Sequence, residues 1–236
     1  MTETEFLTFI RAGALLATQV PGRVGYLVLT QERMRGEPTL REPELRTALQ
    51  IQASLGKLLY GIEVPTFYSY SFAGNSGRKA LTDIALLSGA DPYDTRSVLI
   101  ELKEGQPAVT ISTSGGLKVV DVPAIRKDMH KLLAEPVMHG RCMLHICQAT
   151  DQRTLPTLVA KYDAATRAAM LDMEKTRTAQ PEIGRRLPPP PGDLWFLLIF
   201  LVLHQRGREF ANLGACLHIG TWDGNHWNVK QDSCFP

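Results

Sequence analysis

"TDIALLSGADPYDTRSVLIELKEG", residues 82–105, sets two apolar runs on either side of a turn and places charge inside both of them. Side chains alternate faces along a strand, so Glu101 and Lys103 project the same way, together with Leu99. Folded as a hairpin centred on residue 92, the stretch puts Asp83 directly across from Glu101. Asp-Pro within "GADPYD" is where such a chain reverses, so the turn chemistry and the charge register agree. Both runs are apolar on both faces, as buried strands are. Two carboxylates and an ammonium therefore meet where ionised groups are costly.

Outward from this hairpin, the flanking sequence supplies helices and further strands. "PTFYSYSF" (65–72), "KALTDIALL" (79–87) and "RSVLIELKEG" (96–105) read as three strands with short connections, which implies an antiparallel meander. Before them, Leu45, Ala48, Leu49, Leu55 and Leu59 recur at helical intervals from Pro43, with Glu42 and Glu44 suited to a helix N-terminus and Gly61 able to end the helix. After them, "PAVTIST" is a further strand candidate. "DVPAIRKDMHKLLAE" then offers Asp121 and Pro123 as start signals and Ile125, Met129, Leu132 and Leu133 as an apolar face. "RCMLHICQA" closes the series as a strand. Residues 43–149 thus read helix, three strands, helix, strand.

Two further regions flank this core. Residues 1–42 carry a helix ("TEFLTFIRAGALLATQ", with Phe6, Ile10, Leu15 and Leu16 on one face) and a strand ("RVGYLVLTQ"). Residues 150–236 carry a long alanine-rich helix, the stiff connector "LPPPPG", a buried element in "LWFLLIFLVL" and a hairpin turning at Asp223 and Gly224. That turn pairs His226 with Trp222. It leaves His218 too far along the strand for Cys216, His218, His226 and Cys234 to share a tetrahedral zinc site. Trp222 and Trp227 read as hairpin packing, and Cys142, His145 and Cys147 as buried members of a core strand.

A cation resolves the conflict between Asp83 and Glu101. Mg²⁺ takes oxygen ligands and usually keeps several waters, so two carboxylates and the backbone carbonyl of Leu102 would make an open site. A metal there can polarise a phosphoryl oxygen and lower the pKa of bound water, which Lys103 would orient or deprotonate. This is the chemistry of phosphodiester hydrolysis. Arg78 and Lys79 could hold phosphates near Asp83 or serve as turn charges, and Asp128 either reaches toward the site or pairs with Lys131 as an i,i+3 salt bridge, the pairing being the expected role.

The order acid, about twenty residues, then Glu-x-Lys on the next strand, within helix-strand-strand-strand-helix-strand, resembles the PD-(D/E)XK nuclease superfamily. "LTDIALL" and "VLIELKEG" match its two signature strands, with Thr82 where the motif's name has proline, and "AIRKDMHKLL" is similar to the helix that follows them. The resemblance covers residues 43–149. It implies an α/β fold with a restriction endonuclease-like αβββαβ core and a mixed central sheet flanked by helices; residues 1–42 and 150–236 read as N- and C-terminal extensions of it, the latter packed on the same domain. It implies Asp83 and Glu101 as ligands of Mg²⁺ or Mn²⁺, Lys103 as the water-activating residue and Glu44 as a candidate additional acid. It also implies a nucleic acid substrate, DNA ahead of RNA, and admits a homodimer. The alternative is a catalytically silent module of this fold that binds nucleic acid or a protein.

Bulk properties permit this reading without demanding it. At 236 residues, 44% hydrophobic and 21% charged, the chain is ordinary for a folded protein. Lys plus Arg (26) barely exceed Asp plus Glu (24), so any polyanion must be met by a local patch. Four scattered cysteines do not suggest a disulfide framework, and residues 1–10 carry two acids and no basic leader segment. "LWFLLIFLVL" is about half the ~20 residues of a membrane-spanning helix. The expectation is a cytoplasmic protein without a membrane partner.

Overall fold

The computed structural model describes residues 1–19, 40–69, 79–89, 96–107, 119–120, 122–148, 154–179, 194–205 and 213–235. Among them lie four helices: α1 (Glu3–Gln19), α2 (Glu42–Leu55), α3 (Val122–Ala134) and α4 (Thr154–Ala179). The strands are β1 (Leu59–Ser69), β2 (Lys79–Leu87), β3 (Arg96–Glu104), β4 (Gln106–Pro107), β5 (Val119–Val120), β6 (Gly140–Gln148), β7 (Trp195–Gln205), β8 (Leu213–Trp222) and β9 (Trp227–Phe235).

Seven strands form one sheet in the order β1-β2-β3-β6-β7-β8-β9, while β4 and β5 pair separately. β1, β2 and β3 are antiparallel neighbours, β3, β6 and β7 run parallel, and β8 and β9 return antiparallel. The protein is thus α/β with a mixed sheet. β7 resolves "LWFLLIFLVL" as a strand, and Phe196 to Leu203 are all buried, which is why its apolar residues run without alternation.

Among the described residues, each face of the sheet carries two helices. Ile84, Leu86, Val98, Ile100 and Leu102 pack towards α1 and α2, where Phe6, Ile10, Leu45 and Leu49 meet them. Ala85, Leu99, Met143, Leu198 and Phe200 pack towards α3 and α4, on Ile125, Met129, Leu132, Leu158 and Tyr162. Alternation along β3 therefore gives Glu101 and Lys103 to the α3 face, with Leu99.

Several sequence expectations need correction. The first core helix does not run on to Gly61. It ends at Leu55, where Lys57 enters the left-handed region (φ 54°) and Leu58 N–H donates back to Ala53 C=O at 2.8 Å, a Schellman closure that β-branching or proline is not needed to enforce. β1 consequently starts at Leu59, earlier than the expected 65–72. At the C-terminal hairpin Trp222 pairs with Trp227, not His226, because Asp223 Oδ1 accepts the N–H groups of Asn225 (2.9 Å) and His226 (2.8 Å) and so draws four residues into the turn.

The cysteine reading changes too: Cys216 and Cys234, cross-strand partners on β8 and β9, form a disulfide, while Cys142 and Cys147 are buried thiols. Cysteine usage therefore no longer argues for a reducing compartment. The expected strands at 23–31 and 107–113, the start signal Asp121 and the proline run lie wholly or largely outside the described residues. Among the described residues no helix is long and apolar enough to cross a membrane.

Candidate active site

β2 and β3 pair from Leu87↔Arg96 to Ile84↔Ile100, and the last three pairs have the register centred on residue 92 that places Asp83 across from Glu101. The reversal itself, at 90–95, is outside the described residues. One step past Ile84↔Ile100 a side chain takes over from the backbone ladder: Leu102 N–H donates to Asp83 Oδ2 at 2.7 Å. The N–H and C=O of one strand residue point to the same edge, so the Leu102 carbonyl also faces β2.

Glu101 lies deeper. It is 2% exposed; its Oε2 accepts from Lys131 Nζ at 2.6 Å, and its Oε1, buried, has no partner. A buried carboxylate oxygen left without a donor costs on the order of 1–3 kcal/mol, more when charged. Lys131 comes from α3 and also donates to Leu81 C=O at 3.0 Å. Asp128, one turn earlier on α3, stands between the lysines: Oδ2 is 2.5 Å from Lys103 Nζ and Oδ1 is 3.4 Å from Lys131 Nζ. Asp128 is thus the i,i+3 partner of Lys131 and also a direct partner of Lys103.

The electrostatics follow from burial. Burial raises the Asp83 carboxyl above its ordinary value, against the opposing Leu102 N–H and the Lys131 charge, while Asp128 adds to the rise. Burial pushes Glu101 up further, with Asp128 and Asp83 acting in the same direction and Lys131 opposing them. Burial alone would lower Lys131, but the charges of Glu101, Asp128 and Asp83 outweigh it and raise that ammonium. The site thus wants more positive charge than the protein supplies.

Beneath Lys103, its β6 neighbour His145 is fully buried. His145 Nε2 bonds Gly105 C=O at 2.9 Å, so that nitrogen carries the proton, and Nδ1 accepts from the Tyr162 hydroxyl at 2.7 Å. Burial lowers His145 to about 4, with the Lys103 charge contributing, and keeps it neutral. The end of β3 is tied to α2 as well, since Glu104 Oε2 accepts Glu42 N–H at 2.9 Å. Across from Asp83 on β1, Glu63 sits in the left-handed region (φ 48°) and pairs with Arg46 at 3.0 Å; the Arg46 charge acts to lower Asp83.

The structure therefore brings Asp83, Glu101, Lys103 and Leu102 to one place, and adds Asp128 and Lys131. Glu44 is used differently: its Oε2 accepts Arg41 N–H at 2.7 Å, closing the capping box of α2, which leaves helix capping as its visible role. Arg78 lies outside the described residues, as does the side chain of Lys79. Trp227 Nε1–H donates to Thr166 Oγ1 at 3.0 Å and Trp222 packs on Trp227, which is hairpin packing.

The donor set suits a hard cation. Among the described residues no three His, Cys, Asp or Glu side chains gather as metal ligands. An ion here would take Asp83, the partnerless Glu101 Oε1 and the Leu102 carbonyl, all oxygens, and complete its shell with water. The fit rests on that orphaned oxygen. No protein-family model, no curated protein and no solved structure matches the chain.

Proposed function

We propose that the protein is a metal-dependent nuclease of the PD-(D/E)XK type, with a restriction endonuclease-like core over residues 43–149, hydrolysing phosphodiester bonds in DNA ahead of RNA. The observation that carries this reading is the meeting of Asp83 and Glu101 where β2 and β3 part, with Glu101 Oε1 buried and partnerless and Lys103 on the same face. A bound Mg²⁺ or Mn²⁺ would draw charge from the scissile phosphate and acidify a water. Asp83 and Glu101 would hold it, and the fixed Leu102 N–H keeps the Asp83 carboxylate turned to the gap. Lys103, only partly buried, would orient the attacking water and face the negative charge on the phosphoryl oxygens; Asp128 fixes its ammonium. Attack by the water oxygen breaks one phosphorus–oxygen bond, and the departing oxygen takes up a proton.

One observation favours the alternative of a silent binding module of the same fold. Lys131 already neutralises Glu101 Oε2, so the pair could serve structure alone. Incubating plasmid, linear and single-stranded DNA and RNA with Mg²⁺, Mn²⁺ or EDTA separates the readings. Metal-dependent cleavage lost in Asp83→Asn and Lys103→Met supports the nuclease. Binding without cleavage supports the module, and cleavage that survives both substitutions rejects the site.

A further inference from the structure

We propose that Lys131 is a resident counter-cation that makes occupancy of this site by a divalent ion depend on the substrate's phosphate; the inference rests on the nuclease reading above. Lys131 is 6% exposed; its Nζ donates to Glu101 Oε2 (2.6 Å) and Leu81 C=O (3.0 Å) and is ion-paired with Asp128 Oδ1 at 3.4 Å. Burial among these groups keeps the ammonium away from a substrate. Lys103, by contrast, has a side chain 17% exposed, so the two lysines divide the work: one faces outward and one is sealed in.

The charges then decide the order of events. Three carboxylates (Asp83, Glu101, Asp128) and two ammonium groups (Lys103, Lys131) leave a formal net charge of about −1. A divalent ion alone overshoots to about +1, in a setting where burial makes the excess costly. One phosphodiester, with its single negative charge, closes the sum. Without Lys131 the site would be near −2 and the ion alone would balance it. The partnerless Glu101 Oε1 keeps a coordination position open, and the ammonium on Oε2 keeps that position weak until nucleic acid arrives.

The test is a Mn²⁺ titration of the full chain, followed by the paramagnetic resonance of free Mn²⁺. It is run with and without an oligodeoxynucleotide whose phosphorothioate linkages keep the charge and slow hydrolysis. The wild type should bind Mn²⁺ weakly alone and roughly tenfold more tightly with the oligonucleotide. Lys131→Gln should bind Mn²⁺ alone roughly tenfold more tightly than wild type and gain little from the oligonucleotide. Asp128→Asn, which removes a negative charge without touching Glu101, should bind Mn²⁺ alone more weakly. Folding of each variant is read by circular dichroism. A folded Lys131→Gln with unchanged or weaker affinity overturns the inference, as does an unchanged affinity in Asp128→Asn should Lys131→Gln not fold. Mn²⁺ binding by none of the proteins, with or without oligonucleotide, overturns the nuclease reading itself.

Discussion

Asp83 Oδ2 accepts the Leu102 backbone N–H at 2.7 Å, so a side chain of one strand occupies the place where the backbone of the other would have continued the ladder. The contact does two things. It satisfies a buried amide at the point where β2 and β3 separate, and it holds a carboxylate in the gap beside Glu101, where burial raises both acids.

Asp83→Asn separates stability from chemistry. The amide oxygen can still accept from Leu102, while a charge costly to bury beside Glu101 and Asp128 is removed. An acid whose folded pKa is raised destabilises the protein when ionised, above its ordinary value, so the cost is present at neutral pH. The metal-free variant should melt at or above the wild-type midpoint, yet lose roughly 100-fold or more in cleavage, about 3 kcal/mol in the barrier. Calorimetry and a cleavage assay on the same preparation check both; a midpoint several degrees lower would make Asp83 chiefly structural.

His145 sets a pH dependence of stability. Its folded value, about 4, lies below its ordinary 6.5, so in acid the unfolded chain binds the proton first. Stability from this group is complete above pH 6.5 and is lost as pH falls towards 4. The loss amounts to about 3 kcal/mol at most. Denaturant unfolding across that window should show the fall, and His145→Gln should show a smaller one. Equal slopes in the two proteins would place the acid sensitivity elsewhere.

The Cys216–Cys234 bridge closes a segment with a sequence separation of 18, which by chain entropy is worth about 3 kcal/mol against the reduced unfolded chain. Non-reducing peptide mapping should find the two half-cystines in one fragment pair. Reduction should lower the thermal midpoint, and Cys142→Ala should not change the mapping. Free thiols at both positions in protein folded under oxidising conditions would contradict the bridge.

How much of this was readable in the sequence varies with the physics of each signal. The β2–β3 register was legible because a period of two and a symmetric pair of charges overdetermine it. α3 and β7 were legible because apolar spacing and an unbroken apolar run survive without knowledge of the partner. In the sequence Lys131 reads only as a possible i,i+3 partner of Asp128, with no role at the site. It stands three residues after Asp128 on α3, at the flank of the apolar face that carries Ile125 and Leu132, where a charged side chain is ordinarily solvated. Its partner, Glu101, is thirty positions away, and no local pattern encodes so distant a pairing. Glu44 illustrates the reverse: an acid three residues after Arg41 satisfies a helix start locally, and its pattern is indistinguishable from that of a ligand. Cys216 and Cys234 face each other only after two shifts of the hairpin register, one residue at the Asp223 turn and one at the bulge between Leu217 and His218.

The most direct measurement is anomalous diffraction at the manganese edge from crystals grown with Mn²⁺ and a phosphorothioate oligodeoxynucleotide. The account expects one strong peak bonded to both the Asp83 carboxylate and Glu101 Oε1, with Lys103 Nζ facing the bound phosphate. A map with no peak there, and the Glu101–Lys131 pair unchanged around an empty Oε1, would contradict it.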